Sequence, residues 1–460
     1  MGLAAKASDA KVSGDVTRLL AERAARLRYE DIPPEVRALA RQCLLDWLAV
    51  ALAGADAPLS AILRAEALEQ GGAPRATLIG GGGRTATLQA ALVNGAASHA
   101  LDYDDVNLAM AGHPSVAVLP GLLALAEARE ASGRDLLTAF VAGYETACRI
   151  GLLVAPGHYG RGFHATATVG SFGAAAACAR LLRLDGEGMA TALGIAGTQA
   201  AGLKAMFGTM CKPLHAGKAA QNGLLAANLA ARGFTARPDL LECAQGFAAT
   251  QSRGCNAEAA LAEPAGGFHL RANLFKYHAA CYLTHAPIEC ALALRRRIAF
   301  LPEQVARVEV TLDAGADTVC NIAAPRTGLE AKFSLRFTVA LALAGIDTAR
   351  LDTFADALVA RPDLVALRDK VVVGFEPHWP HTKAAMILTL ADGSRLETSH
   401  DSGGPASDIV AQGARVEAKY QSLAAPVLGD AGAARLLEAV RRLEDLEGVA
   451  AMTALAAAPA

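Results

Sequence analysis

The chain has 460 residues, of which 53 % are hydrophobic and 5 % aromatic, and its formal net charge is −2. This length predicts two to three domains, or one large domain with a smaller one, around a substantial core. Because there is no basic surplus to bind a phosphate backbone, nucleic acid is excluded as an expected partner. At the start of the chain, 1–15 lacks the apolar segment of a secretory signal.

The N-terminal half reads as a series of helices. Apolar residues recur at helical spacing over 14–30, and a second helix is predicted through 35–53, with Pro33 and Pro34 at its start, where a missing N–H costs nothing. From 87 to 260, Ala/Leu-rich stretches apolar on several faces are separated by Gly, Pro and His-bearing turns, which predicts buried helices packed together. The stretches are 116–131, 135–153, 166–183, 187–203 and 216–232. The longest apolar runs fall short of a membrane span, so we expect no membrane partner.

The pattern changes after about residue 270. Apolar and polar residues alternate over 305–313, which predicts a strand. A hairpin is predicted over 385–398, because Asp392 and Gly393 form a turn dipeptide between two β-prone runs.

Helical periodicity also occurs in and after this region. It predicts helices over 329–345 and 348–360, and a charged helical tail over 406–456 that packs back on the first domain. The fold class is therefore mainly α: a large all-helical domain with a smaller α+β lid domain. The helical domain is predicted to comprise 1–269 plus 404–460, and the lid 270–403.

The first of four polar segments that interrupt the apolar pattern is 99–115. It brings together His99, Asp102, Asp104, Asp105 and His113. Paired carboxylates beside a histidine suit a metal site or acid–base chemistry, whereas the same residues could also cap helices in a charged loop. A magnesium site is disfavoured, because no second carboxylate cluster occurs elsewhere.

The second segment, 157–173, places His158, Arg161 and His164 among glycines ahead of a predicted helix. A helix N-terminus preceded by glycine and polar groups binds anions, and histidine transfers protons near neutral pH. A Gly-rich turn with a core histidine is the alternative. The spacing is not that of a dinucleotide fingerprint.

The third and fourth segments, 208–223 and 275–290, add further cations. The third contains Lys212 and His215 near a predicted helix start, where a lysine can pair with a substrate carboxylate; the alternative is a solvated lysine. The fourth contains three basic residues at the proposed domain boundary, a usual place for small-molecule sites; the alternative is an amphipathic helix with satisfied histidines. They are Lys276, His278 and His285.

These groups lack a redox, phosphate-loop or nucleophile-elbow motif, and the histidine and cysteine spacing in 275–290 is not that of a zinc site. Nine scattered cysteines without a C-x-x-C pair favour a reducing, cytoplasmic setting over a disulfide framework. A set of lysine, arginine and histidine suits a small anionic substrate, because cations hold carboxylates while a neutral imidazole moves the proton.

In their order and spacing, the same segments resemble the MmgE/PrpD family, which includes 2-methylcitrate dehydratase, cis-aconitate decarboxylase and iminodisuccinate epimerase. The resemblance runs from about 15 to 400. The matching strings are LLDWLAVALAG (44–54), AALVNGAASHALDYDD (90–105), HPSVAVLPGLLALAE (113–127), GFHATATVGSFGAAAA (162–177), KPLHAGKAAQNG (212–223), KYHAACYLTH (276–285) and GLEAKFSLRF (328–337).

The resemblance implies a helical domain built from both chain ends, an α+β lid, a homodimer and an active site between the domains that needs no cofactor and no metal. It implies that five residues line this site and carry the chemistry: Asp102, His113, His164, Lys212 and Lys276. Four further residues are expected to bind substrate: Arg161, His215, His278 and His285. His164 is then the candidate for proton transfer.

Two departures argue against decarboxylation. Val106 stands where the decarboxylase has threonine, and the stretch expected to hold a late tyrosine of the decarboxylase contains Cys320. The expectation is therefore a lyase that abstracts a proton α to a carboxylate and eliminates water from a small polycarboxylic acid, as 2-methylcitrate dehydratase does. The alternatives are decarboxylation or epimerisation, as elsewhere in the family, and a non-catalytic binding protein on the same scaffold.

Overall fold

The structure is a computed structural model that describes residues 15–457, and the protein divides into two compact units. The helical unit comprises the chain up to Ala100, Val106–Asn273 and the residues from Leu423 onward. The α+β unit comprises Leu101–Asp105 and Leu274–Ser422, so it ends later than 403 and takes five residues from the N-terminal half. The interpretation of 1–15 as lacking a signal falls almost entirely outside the described residues.

The helical unit consists mainly of helices and one short two-stranded ladder. Before Asn273 its helices are α1 (Val16–Arg26), α2 (Pro34–Gly54), α3 (Pro58–Gln70), α4 (Thr87–His99), α5 (Pro114–Ala128), α6 (Gly133–Val154), α7 (Gly157–Gly160), α8 (Ala165–Leu181), α9 (Gly186–Gly197), α10 (Cys211–Ala230), α11 (Phe247–Gln251) and α12 (Ala257–Leu261). The ladder pairs β1 (Ala76–Thr77) with β2 (Arg84–Thr85) in antiparallel fashion.

Local sequence signals explain where these helices begin. Helix α2 starts at Pro34, whose missing N–H would have had no intrahelical acceptor. Helix α6 is capped by Ser132, whose hydroxyl accepts a hydrogen bond from the Asp135 N–H at 3.1 Å. The predicted helices at α2, α5, α6, α8, α9 and α10 lie within a few residues of the observed bounds, apart from ends that the structure places four to six residues away.

Small residues allow the helices to approach closely. A Cβ atom added at Gly95 of α4 would lie 2.7 Å from the Cα of Gly217 in α10, and one at Gly121 of α5 would lie 2.6 Å from the Ala220 carbonyl oxygen. At such contacts one backbone packs directly against another, so a side chain has no room. The abundance of glycine and alanine thus has its structural use in the core of this unit.

Helix α6 is long and apolar enough, by length and composition alone, to cross a membrane. The expectation that no stretch reaches this length was therefore wrong. Its most apolar window is 94 % buried within the protein, as in the central helix of a folded core.

The α+β unit combines a mixed sheet with a layer of helices. Its helices before residue 400 are α13 (His285–Arg297), α14 (Asp317–Cys320), α15 (Gly328–Ala331), α16 (Leu335–Leu343), α17 (Asp356–Val359) and α18 (Pro362–Arg368). Its strands are β3 (Val305–Asp313), β4 (Val371–Glu376), β5 (Lys383–Leu390) and β6 (Arg395–Asp401), in the spatial order β4-β3-β5-β6.

Strand β3 is central and pairs in parallel with β4 and antiparallel with β5, which pairs antiparallel with β6. Alternate residues of β3 and β5, such as Val308, Val310, Met386 and Leu388, are buried in a core shared with α13 and α16. The predicted strand 305–313 is confirmed. The predicted hairpin turn is also confirmed, with Gly393 at φ 85° between β5 and β6.

Three details of this region differ from the prediction. The helix expected over 329–345 is interrupted between α15 and α16, where Ser334 caps the second helix. The helix expected over 348–360 is wrong, because this stretch holds only a 3-10 turn and the four-residue α17. Strand β4 was not predicted, because its short apolar run VVV gives no clear period.

The tail is helical, as predicted. Helix α19 (Ile409–Arg441) is bent at Gly429, where φ is 70°, and α20 (Ala450–Leu455) follows it. From Leu423 onward the tail belongs to the helical unit, where the Glu444 carboxylate accepts a hydrogen bond from the Tyr29 hydroxyl at 2.8 Å and pairs with Arg41.

Candidate functional site

The predicted site residues fall into two groups, one in each unit. In the helical unit, four rings form what we call the imidazole cluster: His99, His113, His164 and His215. Lys212 lies beside it. Helix starts supply most of these groups, since His113 and His164 occupy the N-cap positions of α5 and α8, and Lys212 lies in the first turn of α10.

The cluster is held together by direct ring contacts. His164 Nδ1 lies 3.0 Å from His215 Nδ1, so one of these nitrogens donates a hydrogen bond to the other. The His99 ring lies 4.7 Å from that of His113 and 5.9 Å from that of His164. The Nε2 atom of His164 has no hydrogen-bond partner among residues 15–457, which leaves it available to a ligand.

Burial and neighbouring basic groups keep His164 uncharged. The ring is 3 % exposed, and burial lowers its pKa well below the usual value; His99 and Lys212 lower it further. The pKa of His215 is lowered for the same two kinds of reason, burial first and then Lys212. The positive ends of α5 and α8 act in the same direction. His164 and His215 are therefore neutral imidazoles at neutral pH, in surroundings that favour an anion.

The segment between α9 and α10 fixes the position of His164. The His164 backbone N–H donates to the Gly202 carbonyl at 3.0 Å, and the His164 ring packs edge-on against the Phe207 ring, with 5.0 Å between the ring centres. Gly202 has φ 151°, and a Cβ there would lie 2.4 Å from that of Ala167. The ammonium of Lys212 lies 5.3 Å from the centre of the Phe207 ring, so one aromatic residue orders both the imidazole and the cation.

In the α+β unit, Lys276 and Asp102 form a buried ion pair. The Lys276 side chain is 1 % exposed, and its Nζ donates to the Asp102 carbonyl at 2.6 Å and to the carboxylate at 3.1 Å. Asp102 has φ 52°, in the left-handed region that aspartate tolerates better than most residues. This backbone conformation lets the Asp102 carbonyl oxygen and one of its carboxylate oxygens both accept from the Lys276 ammonium.

Lys332, a second lysine of the same unit, lies close enough to Asp102 and Lys276 for their charges to act on it. This residue was not among the predicted site residues. The pKa of Lys332 is lowered to about 8, chiefly by burial; Asp102 opposes this shift and Lys276 adds to it. The only available sequence signal was its position in the family-like string GLEAKFSLRF. An amine with this pKa can give or take a proton near neutral pH.

Two buried thiols lie next to this group. The Cys320 thiol donates to the Ala316 carbonyl at 3.6 Å, and its interaction with the Cys281 thiol lowers the pKa of Cys281 and raises that of Cys320. Cys320 is a fully buried thiol, so it does not supply the phenol that a tyrosine would offer there.

The remaining predicted substrate-binding residues lie apart from both groups or are held by the protein itself. The Arg161 side chain is exposed and makes no ion pair or hydrogen bond with the described residues. His278 Nδ1 lies 2.8 Å from Thr348 Oγ1 and its Nε2 lies 3.4 Å from Glu289, while His285 Nε2 lies 3.4 Å from the Ala280 carbonyl. Burial lowers the pKa of His285, so this ring is neutral and suits a supporting role.

Taken by itself, each group offers a distinct chemistry. The imidazole cluster offers a neutral proton carrier with a free Nε2, and His99 and His113 are imidazoles of the type that a divalent metal would use. The Asp102–Lys276 pair offers a desolvated ammonium that can stabilise negative charge developing on a carboxylate or enolate.

Family models match nearly the whole described chain. Residues 18–260 match the MmgE/PrpD N-terminal domain and residues 278–445 the MmgE/PrpD C-terminal domain. The chain therefore belongs to the MmgE/PrpD family, as the motifs predicted.

Its characterised relatives indicate a more particular likeness. A cis-aconitate decarboxylase of Aspergillus terreus (strain NIH 2624 / FGSC A1156) is 28 % identical over 490 aligned residues, covering 99 % of this chain and 98 % of the relative. The human cis-aconitate decarboxylase is 30 % identical over 80 % of this chain and 79 % of its own length, and the mouse protein is 29 % identical over 80 % and 78 %. These relatives favour an enzyme, and they favour the decarboxylase alternative over the dehydratase that the sequence analysis put first.

Proposed function

We propose that this protein is a lyase that removes CO2 from a small unsaturated polycarboxylate of the cis-aconitate type, without an organic cofactor. The observation that carries the proposal is His164: a buried, neutral imidazole with Nδ1 tied to His215 and Nε2 free for a ligand. The names of the relatives supply the substrate class.

The chemistry asks for two things that these residues offer. When a carboxylate leaves as CO2, the electron pair of the broken C–C bond moves into the conjugated C=C–carboxylate system, and a proton must then be added to carbon. A bound polyanion raises the pKa of His164 by charge attraction, so the ring becomes an acid able to deliver that proton through Nε2. Lys212 and Lys276 are proposed to hold the remaining carboxylates and stabilise the delocalised charge, with Asp102 orienting the Lys276 ammonium.

Water elimination from a hydroxylated tricarboxylate, as by 2-methylcitrate dehydratase, is the second candidate. One observation favours it: in the stretch where the resemblance predicts the decarboxylase tyrosine, this chain has Cys320, whose thiol is buried against Cys281. In this case neutral His164 would accept a proton from carbon through Nε2 while hydroxide leaves.

Proton NMR in heavy water distinguishes these reactions. The purified enzyme is incubated separately with cis-aconitate and with 2-methylcitrate. The proposal expects cis-aconitate to lose CO2 and gain one carbon-bound deuteron, with 2-methylcitrate unchanged. Consumption of 2-methylcitrate with formation of an alkene would establish the dehydratase instead. If neither acid reacts or exchanges deuterium, lyase action on these substrates is wrong.

A further inference from the structure

The α+β unit contains a cavity of about 660 Å³, and neither Asp102 nor Lys276 lines it. This volume is in the range of small-molecule sites. Its wall carries one carboxylate, that of Asp347, and five cationic side chains. The cations are Arg295, Arg296, Arg350, Arg415 and Lys419.

These cations come from three separate segments. Arg295 and Arg296 lie in the last turn of α13, Arg350 lies after the loop that follows α16, and Arg415 and Lys419 lie one turn apart on α19. Charges of one sign converging from distant parts of the chain repel one another unless an anion lies among them. Arg296 is exposed and has no carboxylate partner among residues 15–457, so its guanidinium is available to a ligand.

Contacts within the protein preorganise the other cations. The Arg415 guanidinium stacks 3.6 Å from the centre of the Tyr277 ring and forms an ion pair with Glu289 at 3.1 Å. Arg295 is fixed by the Leu343 carbonyl, which accepts from its Nη1 at 2.5 Å. Arg350 is held by Asp352, which accepts from its Nε at 2.9 Å and its Nη2 at 2.5 Å. The contacts of Arg295 and Arg415 leave guanidinium N–H groups that can bind carboxylate or phosphate.

The inner wall of the cavity is rigid and buried. Lys419 Nζ donates to the Tyr103 carbonyl at 2.6 Å and lies 4.1 Å from the centre of the Tyr103 ring, and the Tyr103 hydroxyl donates to the Ala349 carbonyl at 3.1 Å. Tyr103 follows Asp102 in the chain, and Tyr277 follows Lys276. Two residues of the cavity wall, Tyr103 and Tyr277, are therefore the chain neighbours of the two members of the ion pair.

We propose that this cavity is a second binding site, for a small molecule with at least two anionic groups, either phosphate or carboxylate. Five cationic side chains from three segments line a cavity of this volume, so more than one anionic group is needed to balance their charge. The two tyrosine rings give the site an apolar wall for the body of the ligand.

Isothermal titration calorimetry with two probes tests this site: tripolyphosphate for phosphate and tricarballylate for carboxylate. The full-length protein is expected to bind at least one of them saturably. The double variant Arg296→Gln/Arg350→Gln removes two guanidinium groups and should weaken binding about tenfold for each, a loss of about 1.4 kcal/mol apiece. The probe that binds more tightly identifies which anionic group the site prefers.

Two controls keep the test specific. Arg395→Gln removes an exposed arginine of β6 that pairs with Glu397 outside the cavity, and it should leave binding unchanged. His164→Ala alters only the proposed catalytic residue and should also leave tripolyphosphate binding unchanged. Absence of saturable binding, equal binding by the double variant, or loss of binding in His164→Ala would each overturn the proposal, whatever reaction the enzyme catalyses.

Discussion

At the scale of single residues, His164 combines an Nδ1 fixed by His215 with an Nε2 that makes no hydrogen bond to residues 15–457, which is the arrangement that proton transfer needs. Replacing it with glutamine keeps a neutral, polar side chain but removes the proton carrier. We expect His164→Gln to lower kcat by about 10²–10⁴-fold, the usual contribution of a positioned acid or base. Steady-state assays with the substrate identified by NMR measure this change.

The matched control is His381→Gln. This imidazole is exposed and pairs with Asp313 on the sheet, so its loss should leave both kcat and the melting temperature unchanged. If His164→Gln retained more than about a tenth of the wild-type kcat, a different residue would have to carry the proton.

Lys332 gives a prediction about stability rather than rate. Its pKa in the folded protein, about 8, lies below the 10.5 of an unperturbed lysine, so between these values the unfolded chain binds more protons. The free energy of unfolding should therefore rise with pH from 8 to 10.5, by up to roughly 3 kcal/mol from this group. In Lys332→Met this increment is absent.

Urea denaturation of both proteins between pH 7 and 10 measures the difference. Comparing wild type with variant cancels the titration of other groups. Parallel curves of unfolding free energy against pH would show that Lys332 titrates normally in the folded state.

The sequence could reveal some of these residues and not others. His164, Lys212 and Lys276 stood out because polar groups interrupted apolar helical patterns. Lys332 did not, because its lowered pKa arises from burial and from Lys276, which is distant in the chain. The Cys281–Cys320 contact was invisible for the same reason.

At the scale of elements, the packing of α4 against α10 depends on glycine. A Cβ atom at Gly217 would lie 2.2 Å from the Leu92 carbonyl oxygen, which belongs to a helix backbone and cannot move aside. We expect Gly217→Ala to lower the free energy of unfolding by about 1–3 kcal/mol despite the better helix propensity of alanine.

Chemical denaturation measures this effect, with Gly254→Ala as the control. Gly254 belongs to the same unit and has no atom within 4 Å of an added Cβ. Equal stability of the two variants would mean that α4 and α10 separate at little cost.

Elements with strong local signals were predictable, and those defined by distant partners were not. Strand β3 alternates cleanly, and the Asp392-Gly393 turn sets the β5–β6 hairpin, so both were found. Strand β4 is held by its parallel pairing with β3, more than fifty residues earlier in the chain, and no local pattern reports such pairing. The 348–360 stretch has helical periodicity, yet its backbone hydrogen bonds form only a 3-10 turn and one short helix.

At the scale of the whole molecule, buried histidines should make the fold acid-sensitive. Burial lowers the pKa of five of them: His158, His164, His215, His269 and His285. Below pH 6.5 the unfolded chain binds protons that the folded protein does not, so stability falls as pH decreases. For His269, whose pKa is about 4, the loss at pH 5 is ~2 kcal/mol.

One carboxyl acts in the opposite direction. Burial raises the pKa of Glu145 to about 7, so this group favours the folded state increasingly as pH falls from 7 towards 4.5. The five histidines together outweigh Glu145, which predicts a lower free energy of unfolding at pH 5 than at pH 7. Denaturant titrations at the two pH values measure this, and His269→Phe should reduce the difference; an unchanged stability would contradict it.

The α+β unit is an insertion in the sequence of the helical unit, and it also borrows Leu101–Asp105 from ahead of the insertion. During synthesis the helical unit cannot be completed until the ribosome has released the tail, because the backbone of Gly133 bonds to Leu446 and that of Gly80 to Ala456. A fragment starting at 274 would in turn bury Lys276 without its carboxylate, at a cost of several kcal/mol. A cut ahead of residue 274 would therefore leave each half without contacts that its own unit needs.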